Sequence, residues 1–117
     1  MSKFGPASDL VEIDDAILRI TDYTAGMSEA DFMASMIAYD AVAMNLIVIG
    51  EAVKRIDAAV LAAEPAIAWP LIVGLRNRIA HGYEDIEPDR IWRAVAIDLP
   101  PLRAAVLRLL DSHPPPP

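Results

Sequence analysis

From Val42 the apolar residues recur at Leu46, Ile49, Val53, Ile56 and Val60, in steps of 4, 3, 4, 3 and 4. A chain with that spacing cannot form a strand that keeps one face dry, because strand side chains alternate with period two. It can form a long helix with a heptad-like seam, and such a seam packs lengthwise against another helix at a shallow angle. A second line, Met33, Ile37, Met44 and Ile47, widens the apolar face enough to serve both a core and a contact between subunits.

The same helical period runs through nearly the whole chain. A first helix is expected from a cap at Ser8 or Asp9 to about Tyr23, with Leu10, Ile13, Ile17 and Ile20 on its stripe and Gly26 closing it. The seam helix opens at Ser28, where Ser28-Glu29-Ala30-Asp31 resembles a capping box, and is expected to run through Gly50 to about Ala63. Pro70 suits the first turn of a third helix over 70–81, with Gly82 following as its C′ residue. A fourth begins at Pro88, carries Ile91, Val95, Leu99, Leu102, Val106 and Leu109, and should kink at Pro100-Pro101. Four helices with short connections predict an all-α, up-and-down four-helix bundle. Residues 1–113 read as one domain, and Pro114 to Pro117 as a disordered proline tail.

A length of 117 residues suits a single domain, which buries roughly 65% of the surface its unfolded form exposes. With 55% apolar residues so short a chain struggles to hide all of its apolar surface as a monomer, so at least a homodimer is expected. The absence of cysteine excludes disulfides, thiolate metal sites and cysteine nucleophiles. Uncharged apolar stretches such as Ala41 to Gly50 fall short of the ~20 residues of a membrane helix, and MSKFGPASDL lacks the apolar core of a secretory signal. The expectation is a cytoplasmic protein with no membrane partner.

A net charge of −7 ordinarily argues against nucleic acid, yet its distribution is uneven. Residues 1–53 hold two basic and nine acidic side chains, and residues 54–117 hold eight of each. Trp69 to Tyr83 contains two arginines and no acid. A locally positive segment on an acidic body suits a protein that touches RNA at one place.

That segment also concentrates the reactive side chains: Arg76-Asn77-Arg78-Ile79-Ala80-His81-Gly82-Tyr83. His81 falls in the last turn of its helix, where the dipole favours positive charge, a useful place for a general acid. At ~100° per residue Asn77 and His81 are neighbours, while Arg76 and His81 lie about 140° apart. Geometry alone therefore makes Asn77 or Arg78 the closer partner of His81, although a long Arg76 side chain can still reach a helix end. The plainer reading is a helix terminus whose histidine and arginines only complement the dipole. Glu51, after Gly50, is either a buried carboxylate paired with an arginine or a group that orients Arg76 or His81. Glu84, Asp85, Glu87 and Asp89 read as a solvated acidic loop in preference to a cation site with His81. His113, among prolines, has no expected role.

Arg76-x4-His81 followed by Gly82-Tyr83 resembles the R-x4–6-H signature of HEPN-domain proteins, in the R-x4-H-x-Y form of HepT-like toxins. Further segments resemble that family in the same order: Asn45 to Ala52 with its Ile-Gly-Glu-Ala, Trp69-Pro70, Gly74 to Asn77, Ile91-Trp92, and Asp98-Leu99-Pro100. The likeness spans most of residues 9–110; Pro101 and the proline tail depart from it. It implies a dimer whose two signatures face each other across a cleft, and an RNA endonuclease that needs no metal or other cofactor. It further implies His81 as general acid/base, Arg76 holding the phosphate and Asn77 as a polar helper. Arg78 then either adds electrostatic support or is merely solvated. Tyr83 corresponds to a tyrosine adenylylated by a partner, a minimal nucleotidyltransferase antitoxin. The alternatives are a non-catalytic HEPN module that binds a nucleotide or scaffolds, and a plain helical dimerisation domain.

Overall fold

A computed structural model describes residues 5–82 and 86–117, and these residues form helices with no strand among them. The order is α1 (Ala7–Tyr23), α2 (Glu29–Met33), α3 (Met36–Arg55), α4 (Ala58–Leu61), α5 (Trp69–Gly82), α6 (Pro88–Arg93), a π-helical turn (Ala94–Asp98) and α7 (Leu99–Ser112). Four rods make the bundle: α1, α3, α5 and the composite of α6, the π turn and α7. The seam helix α3 lies between α1 and α5, and α1 also packs on α7.

The apolar stripes fall where their periods place them. Leu10, Ile13, Ile17 and Ile20 of α1 meet Val42, Leu46, Ile49 and Val53 of α3, all buried, and Leu99, Leu102, Val106 and Leu109 close the core from α7. Phe32 from α2 packs 5.3 Å from the ring of Trp92 and 6.2 Å from that of Tyr39, pinning the short helix to α6 and α3. The second apolar line mostly stays out of the core: Met33, Ile37 and Met44 are exposed, with Ile37 at 86%, and Ile47 alone of the four packs against it, partly buried.

The predicted seam helix is divided into three. Ser28 forms the expected capping box with Asp31, but α2 stops after five residues. Ser35 turns to extended backbone, and its hydroxyl accepts from the Ala38 N–H at 3.1 Å, starting α3. Ile56 is likewise extended, and the Asp57 carboxylate accepts from the Ala59 N–H at 3.0 Å, starting α4. Short polar side chains that compete with the helical ladder work better as caps than inside it, and here they cut the helix twice.

Smaller differences have similar causes. The start of α1 is Ala7, with Pro6 at the cap position and its carbonyl accepting from the Leu10 N–H. Gly82 is the last residue of α5 and not the first beyond it. The irregularity expected at Pro100-Pro101 lies one turn earlier. The prolines occupy the first turn of α7, where a missing N–H costs nothing, and the π turn over Ala94–Asp98 absorbs the mismatch ahead of them. Pro114 to Pro117 are not helical.

Arginine–carboxylate pairs brace the α1 side. Arg55 donates to Asp9 and Glu12, both at 2.9 Å, and Arg103 to Asp14 at 2.9 Å. Arg19 donates to the buried Asn45 at 2.8 Å. The Trp69 indole N–H donates to the carbonyls of Leu61 and Glu64, stitching α5 to the end of α4. By length and hydropathy α3 could cross a membrane, which the uncharged stretches alone did not suggest. Half of it is buried between its neighbours, as in the core helix of a bundle.

Candidate active site

The two segments singled out in the sequence meet where α3 crosses α5. A Cβ on Gly50 would collide with the Cβ of Arg76 and come within 2.7 Å of its Cγ. Only glycine lets the helices approach this closely, so Gly50 is the seat on which the Arg76 stem rests. The next residue, Glu51, then lies beside the guanidinium, and its Oε1 pairs with Nη2 of Arg76. From the other side Nη1 of Arg76 donates to the Asn77 side-chain oxygen at 2.9 Å. The Nε is buried with no hydrogen-bond partner among the described residues.

Arg76 is therefore held at three points: a backbone seat, a carboxylate and an amide. Its side chain is 20% exposed and that of Glu51 35%, so the pair lies at the surface with one side open to solvent. The guanidinium has five N–H donors; the Nε N–H is buried, and the second N–H of each terminal nitrogen, not engaged by Glu51 or Asn77, is left for an anion. Lys54, one turn on, stands 3.9 Å from Glu51 and adds positive charge to the same edge.

His81, the last residue but one of α5, is exposed, as are Asn77 and Arg78. Neither His81 nor Arg78 has a hydrogen bond or ion pair among the described residues. The structure thus brings together Arg76, Asn77 and Glu51, and leaves His81 on the more open side of the same helix, one turn beyond Asn77. Tyr83, Glu84 and Asp85 lie outside the described residues. Among the described residues no three histidines or carboxylates gather as metal ligands would.

Glu51 is a carboxylate paired with Arg76 and only partly buried, an arrangement compatible with both options. Sequence reasoning singled out Glu51 after Gly50, but did not show that Arg76 itself packs against Gly50. It missed a second polar pair, Arg90 and Asp98, beside an apolar cavity. Asp98 stood out only as part of the Asp98-Leu99-Pro100 segment and Arg90 not at all, since the irregular turn that brings them together shows only in three dimensions.

An all-helical bundle with an arginine clamped at the surface and an unengaged histidine on the same helix end defines a class of site suited to phosphate chemistry. Comparison with known proteins narrows it. Residues 13–109 match the family described as Ribonuclease HepT-like. The "Probable ribonuclease HepT" of Thermococcus cleftensis is 29% identical over 100 residues, covering 86% of this chain and 91% of that protein. The "Putative RNase MJ1380" of Methanocaldococcus jannaschii is 28% identical over 106 residues, 91% of this chain and 97% of that one. A longer protein of that organism, "Gamma-glutamylcyclotransferase and putative RNase MJ0434", is 28% identical over 103 residues; the match covers 88% of this chain but only 46% of its own length. No solved structure matches the chain. The chain belongs to the HepT-like ribonuclease family of HEPN proteins.

Proposed function

We propose that this protein is a metal-independent endoribonuclease and the toxin of a toxin–antitoxin pair. The observation that carries the reading is the clamped Arg76 beside Gly50, Glu51 and Asn77, on the helix that ends in the exposed His81. The 2′-OH of the substrate attacks the adjacent phosphorus and loses its proton; the P–O5′ bond breaks and O5′ gains one. The products are a 2′,3′-cyclic phosphate and a 5′-OH. His81 serves as the general acid/base, because an imidazole can both take up and give a proton and this one is exposed on the same helix end. Arg76 binds the phosphate and stabilises the charge that grows on it, and Glu51 and Asn77 hold it in place so that little ordering is left to the reaction. Arg78 adds positive charge at the same end. With a cation for the phosphate and an imidazole for the protons, the reaction as drawn asks nothing of a metal ion.

The active form is a homodimer in which two signature segments line one cleft. The exposed Met36, Ile37 and Met44 on α3 support it, being an apolar surface that one copy leaves uncovered. A minimal nucleotidyltransferase is the antitoxin, and adenylylation of Tyr83, two residues beyond His81, places bulk and a phosphate charge beside the site.

The test is to incubate the purified protein, shown by mass spectrometry to be unmodified at Tyr83, with total cellular RNA in EDTA beside His81→Ala. Cleavage by the parent alone, with cyclic-phosphate ends, is the expected result. If neither protein cuts RNA, the catalytic reading fails and a non-catalytic HEPN module takes its place.

A further inference from the structure

A half-open cavity of about 260 Å³ lies between α3, the start of α5 and the composite fourth rod. It is somewhat smaller than the roughly 300 Å³ at which pockets for whole small molecules begin, a size suited to one ring system. Ile49, Ile72, Leu75 and Leu102 make apolar walls, and Arg90 and Asp98 supply the charged groups. Those two do not satisfy each other. Their closest N···O separation is 3.7 Å, beyond hydrogen-bond length, and Nη1 of Arg90 is buried with no hydrogen-bond partner among the described residues. Asp98 is the last residue of the π turn, a rare element that recurs at functional sites.

The chemistry of this pair restricts the occupant. Arg90 only donates and Asp98 only accepts, and together they carry no net charge. An anionic ligand meets the carboxylate and a cationic one meets the guanidinium. A neutral, flat group with an acceptor beside a donor fits both, and its faces pack on the aliphatic walls. The edge of a nucleobase has that pattern. Guanine matches best: its O6 accepts from an arginine, and N1–H and the N2 amino group present two adjacent donors to the two oxygens of one carboxylate.

We propose that the cavity walled by Ile49 and Ile72, with Arg90 and Asp98 side by side, binds a nucleobase of the RNA, guanine in preference to the others. The proposal rests on the ribonuclease reading above and adds a base-selecting subsite to it. Ile72 ties the two regions together: its side chain lines the cavity, and its carbonyl lies against Gly50, the seat of Arg76. A base unstacked from a single strand can enter such a slot while the backbone passes along the surface of α5.

The experiment is titration of the full-length protein with guanosine, adenosine, cytidine and uridine, followed by backbone amide NMR shifts. Nucleosides carry no phosphate, so binding at Arg76 does not confuse the result. Guanosine should bind most tightly and shift residues of the π turn. Asp98→Asn keeps the side-chain shape and should weaken guanosine binding roughly tenfold or more, the size expected of one bidentate base contact. Arg90→Ala should do the same, and because it empties part of a packed wall, its melting temperature is read beside Asp98→Asn. If no nucleoside shifts these residues, or Asp98→Asn binds guanosine like the parent, the proposal is overturned. If Leu71→Arg at the mouth disrupts self-association while no nucleoside binds, the cavity seats a side chain of a second copy and the proposal is equally overturned. Guanosine binding lost in Asp98→Asn, in a protein that cuts no RNA, upholds the base site and sinks the nuclease reading. Cleavage without nucleoside binding does the reverse.

Discussion

The arginines of α3 and α7 that face α1, and those of α5, have different surroundings. On the α1 side Arg55 holds Asp9 and Glu12, and Arg103 holds Asp14, each at 2.9 Å, so positive charge is spent on joining helices. Among the described residues the paired arginine of α5 is Arg76, and its partner Glu51 sits beside a glycine seat that nothing in the α1 contact requires. Arg78 and His81 face solvent. All of these pairs join rods, and Arg55 and Arg103 are more exposed than Arg76; what sets Arg76 apart is its glycine seat and the exposed Asn77, Arg78 and His81 on its own helix end. That contrast separates the site from the scaffold, and it can be broken experimentally.

The largest effect is expected at Arg76. Arg76→Ala should lower RNA cleavage by about 10²–10³-fold, the loss typical of removing one preorganised charge-stabilising donor, and leave the melting temperature close to the parent's. Single-turnover cleavage and a thermal melt check it together. A comparable loss of stability would move Arg76 to the scaffold side and erase the contrast.

Next comes Gly50→Ala. The added methyl meets the Arg76 stem, so α3 and α5 must separate or the arginine must swing away. Overpacking of this kind costs about 1–3 kcal/mol, and activity should fall further than stability because the clamp is lost as well. Urea unfolding beside cleavage per folded molecule separates the two losses.

Arg55→Ala is the converse. Asp9 has a side chain only 9% exposed and would lose its cation, which costs about 1–3 kcal/mol for a buried group left unpaired. Cleavage per folded molecule should not change. A drop in cleavage at full folding would show that the α1 brace reaches the site, and the division between the regions would fail.

The sequence made the α1 stripe, the seam and the α7 line legible, because burial repeats with the helical period and Leu10 to Ile20 or Val42 to Val53 admit no other face. The site segment was legible from the crowding of Arg76, Asn77 and His81 on one helix end. Helix breaks at Ser35 and Ile56 were not, since serine and isoleucine also occur inside helices and only the local cap hydrogen bonds decide. The Glu51–Arg76 pair was open to two readings because sequence spacing says nothing about which arginine another helix delivers. The proximity of Arg90 and Asp98 was invisible for a related reason: at eight residues apart on a regular helix they would be a little over two turns apart, and the π turn between them changes their phase.

The smallest effect is on the scaffold side and depends on pH. Arg108 donates to both oxygens of Glu64, at 2.6 to 3.2 Å, tying α7 to the segment after α4. Those hydrogen bonds hold the Glu64 carboxyl below its ordinary range. The sign follows from that direction. Above the ordinary glutamate value, about 4.3, both folded and unfolded states carry the charge and the full contribution is present. As pH falls from there through the lower folded-state value, the unfolded chain takes up a proton first and the contribution is lost. Asp31 in its capping box is lowered in the same sense, chiefly by the Ser28 backbone N–H, so acid should loosen both. Arg108→Ala should therefore be slightly less stable than the parent near neutral pH and no different near pH 2, read by urea unfolding at both. Because Glu64 is near solvent the gap should also shrink in high salt. A gap that persists unchanged in acid would mean that the Arg108 stem packs α7 and that its charge contributes little.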